Sequence, residues 1–171
     1  MRPKQEWTFG ASLVAIGLLL ASSVASADTE SVYIGMTPTE FSEGFNRAAQ
    51  VLRLKPRMPR WPARSGNLSA SIAPGITVTG VGVDDGNMMS SIAVSCRSDA
   101  MCNEAIVAAA LSADPELSVE ELRTFIQRRL DGELAEGVYF ADAGLAYTVQ
   151  PNKKKAQLDF RIKAAPDSES E

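Results

Sequence analysis

The chain has 171 residues, of which 45% are hydrophobic, 22% charged and 6% aromatic, and 17 Lys and Arg stand against 21 Asp and Glu. That balance excludes a polybasic tail and an acidic disordered segment, and the length suits one globular domain. Histidine is absent from the sequence, which excludes Ser-His-Asp and Cys-His catalysis, haem or zinc held by imidazole, and a histidine pH switch.

At the start of the chain, Arg2 and Lys4 precede an apolar run from Ala11 to Ala21, and the small residues Ala25, Ser26 and Ala27 follow it. This is the layout of a secretory signal peptide cut after Ala27. The run is about half the ~20 residues that cross a bilayer, so no stable transmembrane insertion is expected once it is removed. A lipid anchor would need a Cys at the cut, yet the first is Cys96; a twin-arginine route would need paired Arg, whereas Pro3 separates Arg2 from Lys4. The expected organisation is therefore a signal peptide at 1–27, a single α+β domain at 28–163, and a small, acidic, disordered tail at 164–171. Export to an oxidising space, most simply a bacterial periplasm, is the expected localisation. There Cys96 and Cys102, the only cysteines, are expected to form a disulfide. Closing so short a loop contributes roughly 2 to 2.5 kcal/mol in the chain-entropy model. The C-x5-C spacing is not a C-x-x-C redox pair, and no other Cys or His completes a metal shell.

The first helix has explicit start signals. Thr37 is the N-cap, Pro38 occupies the first helical position, Glu40 completes a capping box, and Met36 can staple onto Phe41. Phe41, Phe45, Ala48 and Leu52 then fall on one face of a helix expected to end near Leu54. Pro56, Pro59 and Pro62 forbid its continuation, so residues 55–66 read as an extended connector. Leu68, Ala70 and Ile72 alternate with serines, Pro74-Gly75 turns the chain, and Ile76 and Val78 alternate with threonines. Gly80 and Gly82 interrupt that row and mark a bulge or a change of buried face. A hairpin turn at Asp84-Asp85-Gly86-Asn87 leads to a third strand with Ile92, Val94 and Cys96 inward.

Ser98 or Asp99 caps a second helix, apolar over so much of its surface that it should be largely buried. After Asp114-Pro115, Ser118 and Glu121 read as a capping box for a third helix that buries Leu122, Phe125, Ile126 and Leu130 and stops at Gly132. Three more strands follow: Val138 to Phe140, then Leu145, Tyr147 and Val149 alternating, then Leu158, Phe160 and Ile162 in a clean period of two. Tyr139, Phe140 and Tyr147 read as cross-strand packing rather than a carbohydrate platform. The expected fold is α+β, an antiparallel sheet with helices packed on one face, in the order α-βββ-αα-βββ.

The most distinctive local feature is a row of cations, Arg53, Lys55, Arg57, Arg60 and Arg64, interleaved with Pro56, Pro59 and Pro62 and joined by Met58 and Trp61. No acidic residue occurs from Asn46 through Gly82, so the strip makes a positive field in a chain of formal net charge −4. Two readings follow. One is a docking strip for an anionic partner, an unknown protein face or an anionic envelope component, with Trp61 adding stacking or cation–π contact. The other is a solvated connector whose Arg stems cover apolar surface and pair with carboxylates of the C-terminal half. Nucleic acid is disfavoured as a partner, because no fold-specific motif or repeated aromatic platform accompanies the cations.

No cofactor or metal is expected. Asp84, Asp85 and Asn87 do not match a calcium loop, and neither S-x-x-K nor G-x-S-x-G occurs. The expected function is that of an exported, non-enzymatic binding protein. The alternative is a small cell-envelope hydrolase using a carboxylate pair, for which Glu40, Glu43, Glu133, Glu136 and Asp142 are among the candidates, none singled out by spacing.

Overall fold

The computed structural model describes residues 33–135, 137–141, 144–152 and 156–165. The expected signal peptide at 1–27 and all of the expected tail beyond Ala165 lie outside the described residues.

Helix α1 (Pro38–Val51) begins where its capping chemistry places it. The Glu40 amide donates to Thr37 Oγ1 at 3.1 Å and the Thr37 amide donates to Glu40 Oε2 at 2.8 Å. The Thr37 backbone N–H, and then its hydroxyl, hold the Glu40 carboxyl below the usual carboxylate value. The helix ends earlier than its apolar period reaches. Arg53 turns into the left-handed region at φ 56°, and the Leu54 amide folds back onto the Ala49 carbonyl at 2.8 Å. This is a Schellman ending with arginine where glycine is usual.

Strands β1 (Gly66–Ala73), β2 (Ile76–Val83) and β3 (Met88–Arg97) form the first meander, with a short 3-10 turn at Asp84–Gly86. Two helices follow, α2 (Ala100–Ala113) and α3 (Val119–Asp131), and then β4 (Val138–Ala141), β5 (Leu145–Asn152) and β6 (Gln157–Ala164). All pairs are antiparallel, in one six-stranded sheet of order β1-β2-β3-β6-β5-β4. The two meanders therefore meet at β3 and β6, with Ile92 opposite Ile162 and Val94 opposite Phe160. β6 runs through Ala164, one residue into the segment expected to be tail.

Period two along these strands separates the faces. Ile76, Val78, Ile92, Val94, Tyr147, Val149, Leu158, Phe160 and Ile162 are all buried under the helices. The opposite face carries Ser69, Thr79, Ser95, Arg161 and Lys163, none of them buried. On that face Ser95 and Asp159 share a hydrogen bond, and Gln157 Nε2 donates to Ser95 Oγ at 2.6 Å.

α2 is buried on every side over the apolar run from Ala105 through Ala110. It meets α1 closely. A Cβ on Gly44 would stand 2.6 Å from Ser112 Oγ, and that hydroxyl donates to the Phe41 carbonyl at 2.8 Å. Asp99 caps α2, accepting the Cys102 amide at 2.8 Å. The Cys96–Cys102 disulfide joins the end of β3 to the first turn of α2, with Cα atoms 5.6 Å apart. Ser118 accepts the Glu121 amide at 3.3 Å, but the reciprocal half of the expected capping box is not made, because Glu121 Oε2 accepts the Tyr139 hydroxyl at 3.1 Å. Gly132 ends α3 in the left-handed conformation at φ 80°.

Tyr147 stacks on Phe160 with ring centroids 5.9 Å apart, and its buried hydroxyl has no hydrogen-bond partner. Burial, reinforced by the Asp114 carboxylate and then by Tyr139, raises the phenol well above the ordinary tyrosine range. Below about pH 10 the phenol is protonated folded or unfolded; above it only the unfolded chain ionises, so stability falls as pH rises. Tyr147→Phe is expected to leave stability at pH 7 unchanged or raise it by about 1 kcal/mol, and to lessen the alkaline loss. Urea titrations of both proteins at neutral and alkaline pH measure this, and a clear loss at pH 7 would mean that the hydroxyl has a partner after all.

Candidate docking surface

The connector from α1 to β1 is held against the fold along its length. Asn46, on α1, receives and returns the Met58 peptide: the Met58 amide donates to Asn46 Oδ1 and Asn46 Nδ2 donates to the Met58 carbonyl, both at 2.8 Å. One turn earlier, Ser42 Oγ accepts the Trp61 amide at 3.1 Å, and Thr39 Oγ1 donates to the Trp61 carbonyl at 2.8 Å. Thr39, Ser42 and Asn46 lie three and four residues apart and share one helix face. Proline supplies no N–H at the neighbouring positions, so α1 satisfies the peptide groups that the strap would otherwise leave unpaired.

The strap's apolar side chains go inward. Met58 and Trp61 are each 3% exposed, and the Trp61 ring lies 5.6 Å from that of Phe41. Room for the strap comes from glycines of β2 and of the turn after it. A Cβ at Gly80 would stand 2.4 Å from Met89 Cε and 2.8 Å from the Trp61 ring. At Gly82 it would stand 2.1 Å from the Arg64 carbonyl oxygen, and at Gly86 2.0 Å from the Arg64 amide. The bulge expected near these glycines lies between Val81 and Gly82, while the buried row continues through both Gly80 and Gly82 without changing face.

The cations point the other way. Arg53, Lys55, Arg57, Arg60 and Arg64 are all exposed, whereas Trp61, expected beside them as a stacking group, is buried. Its indole face is spent on Phe41, and its ring nitrogen has no hydrogen-bond partner. Arg57 Nη1 donates to the carbonyls of Leu54 and Pro56, folding over its own backbone. Arg60 pairs with Glu43 of α1 at 3.4 Å, an exposed contact and not one with the C-terminal half. Arg53, Lys55 and Arg64 pair with no carboxylate among the described residues. Sequence reading found the cations and missed Thr39, Ser42 and Asn46, whose signal was a stripe of small polar residues beside the apolar face of α1.

Elsewhere the surface offers less chemistry. A cleft of about 750 Å³ between α3 and β4 is lined by Phe125, Leu134, Val138 and Tyr139, with Glu120 and Glu121 among its polar residues. Those two carboxylates are consecutive on α3, so they diverge rather than face one another, and Glu121 is engaged by Tyr139. Glu136 and Asp142 lie outside the described residues. In the Asp84–Gly86 turn, Asp84, Asp85 and Gly86 take the left-handed angles while Asn87 is right-handed. Among the described residues no three Asp, Glu or Cys side chains gather in a cluster that could hold a metal ion, and no helix is long and apolar enough to cross a membrane.

The fold and this surface define a class: an α+β protein whose single antiparallel sheet is covered on one face by helices and crossed by a pinned cationic strap. No protein-family model, curated protein or solved structure matches the chain.

Proposed function

We propose that the protein is an exported, non-enzymatic binding protein that docks a phosphate-rich anionic component of the cell envelope along the strap. The observation that carries this reading is the division of labour within the strap: its backbone and apolar side chains are fixed to α1 and the sheet, while five cations remain exposed. A partner that meets them need not order a floppy segment first, which removes part of the cost of association. The leader-like N-terminus and the disulfide support the exported setting.

Vesicles of an anionic phospholipid, with zwitterionic vesicles as the control, test the proposal. Each cation near such a surface contributes about 1 kcal/mol. Replacing Arg57, Arg60 and Arg64 together by Ser is expected to weaken binding about 100-fold at low salt, with the contrast shrinking as salt screens the charges. The melting temperature should hardly move, because the one ion pair lost is solvent-exposed. Equal binding by the wild type and the triple variant would dismiss the strap as the contact surface.

A further inference from the structure

The two edges of the sheet are unlike. β4 has four residues, whereas β1 has eight, Gly66–Ala73, with no charge and no proline among them. Its ladder with β2 is regular from Gly66 to Ser71 and shifts only between Ser71 and Ala73. Among the described residues β1 pairs with β2 alone and makes no other backbone–backbone hydrogen bond. Long, flat, uncharged edges pair with whatever strand they meet, and natural sheets blunt them with charge, proline, bulges or a covering element. This edge has none of those devices over its regular stretch.

We infer that β1 is an interface, and that its occupant is β1 of a second copy, paired antiparallel about a two-fold axis at Ser69 to give one continuous twelve-stranded sheet. A two-fold contact sets each residue against its own kind, so a charged strand would repel itself. This strand fits itself. With Ser69 opposite Ser69 of the second copy, Leu68 meets Ala70 on the helix-covered face and Asn67 meets Ser71 on the open one, with face alternation preserved. Large sits against small under the helices, and polar against polar outside. Arg64 sits over Gly82, which pairs with Gly66 three residues from the axis, so at ~3.4 Å per residue it falls about 20 Å from its counterpart along the strands, beyond the screening length of physiological salt. The axis runs through the sheet, so both straps lie on the same face of the dimer, and a surface carrying many anions engages both at once.

Light scattering on the purified protein is expected to give twice the monomer mass at about 100 µM, a concentration well above a micromolar dimer constant. Ser69→Lys sets a charge against itself at an exposed position, and is expected to give the monomer mass with an unchanged circular dichroism spectrum. Ser69→Cys is expected to yield a covalent dimer on mild oxidation, and Ser71→Cys is not, because its copies stand four residues apart along the strands. A monomeric wild type, including one whose edge captures a strand from another protein, would overturn the inference. So would a Ser69→Lys variant that stays dimeric, or a Ser69→Cys variant that stays monomeric without reductant.

Discussion

Gly82→Ala is expected to destabilise the fold by about 3 kcal/mol, the upper range for forcing an added group into a packed interior. The new Cβ would meet the Arg64 carbonyl oxygen at 2.1 Å and the Arg64 carbonyl carbon at 3.2 Å. Both are main-chain atoms of the strap, so no side chain can swing aside, and either the strap lifts or β2 bends. Gly75→Ala is the matched control. Its Cβ would meet nothing within 4 Å, but its φ of +77° imposes a backbone penalty of about 1 kcal/mol. Urea unfolding of the two variants separates contact from conformation, and a Gly82→Ala cost no larger than that of Gly75→Ala would mean the strap is not seated on β2.

Trp61→Ala is expected to cost about 3 to 5 kcal/mol, the usual range for emptying the space of a large buried aromatic. Its informative effect is on binding. The substitution removes no charge, yet it frees a strap whose cations are held in place by the packing of Met58 and Trp61 and by the α1 hydrogen bonds. Affinity for anionic vesicles is expected to fall about 10-fold or more, the ordering cost of a few released side chains at about 0.5 to 1.5 kcal/mol each. Trp61→Phe keeps a ring against Phe41 and removes the unpartnered indole nitrogen, so it should bind nearly as well as the wild type. Undiminished vesicle binding by folded Trp61→Ala would show that the strap works as a loose polycation.

What the sequence made legible is what local chemistry decides. Thr37, Asp99 and Ser118 announce helix starts because an N-cap acts on amides only a few residues away, and Gly132 announces a stop for the same reason. The strands and their faces follow from period two, and the α-βββ-αα-βββ order follows from the succession of patterns. The first helix end was misplaced because its left-handed residue is Arg53, which carries no glycine signal. Long-range matters were hidden. Gly80 and Gly82 do accompany a bulge, but their larger role, admitting Trp61 and Arg64, depends on residues that only the fold brings near. Trp61 was assigned to the exposed side of the strip for the same reason: the proline-rich spacing says that the connector is extended and does not say which way its ring faces.

The junction of the two meanders governs how the chain can come together. β3 is complete by Arg97, but its sheet neighbour β6 begins only at Gln157. Until β6 has been made, β3 presents an open flank beside Ile92 and Val94, and the central contacts of the sheet must wait for partners far along the chain. Such non-local closure is slow and leaves the incomplete polypeptide adhesive. Closure of the sheet thus waits for residues 157–164, and a holding chaperone can occupy the open flank of β3 until they arrive.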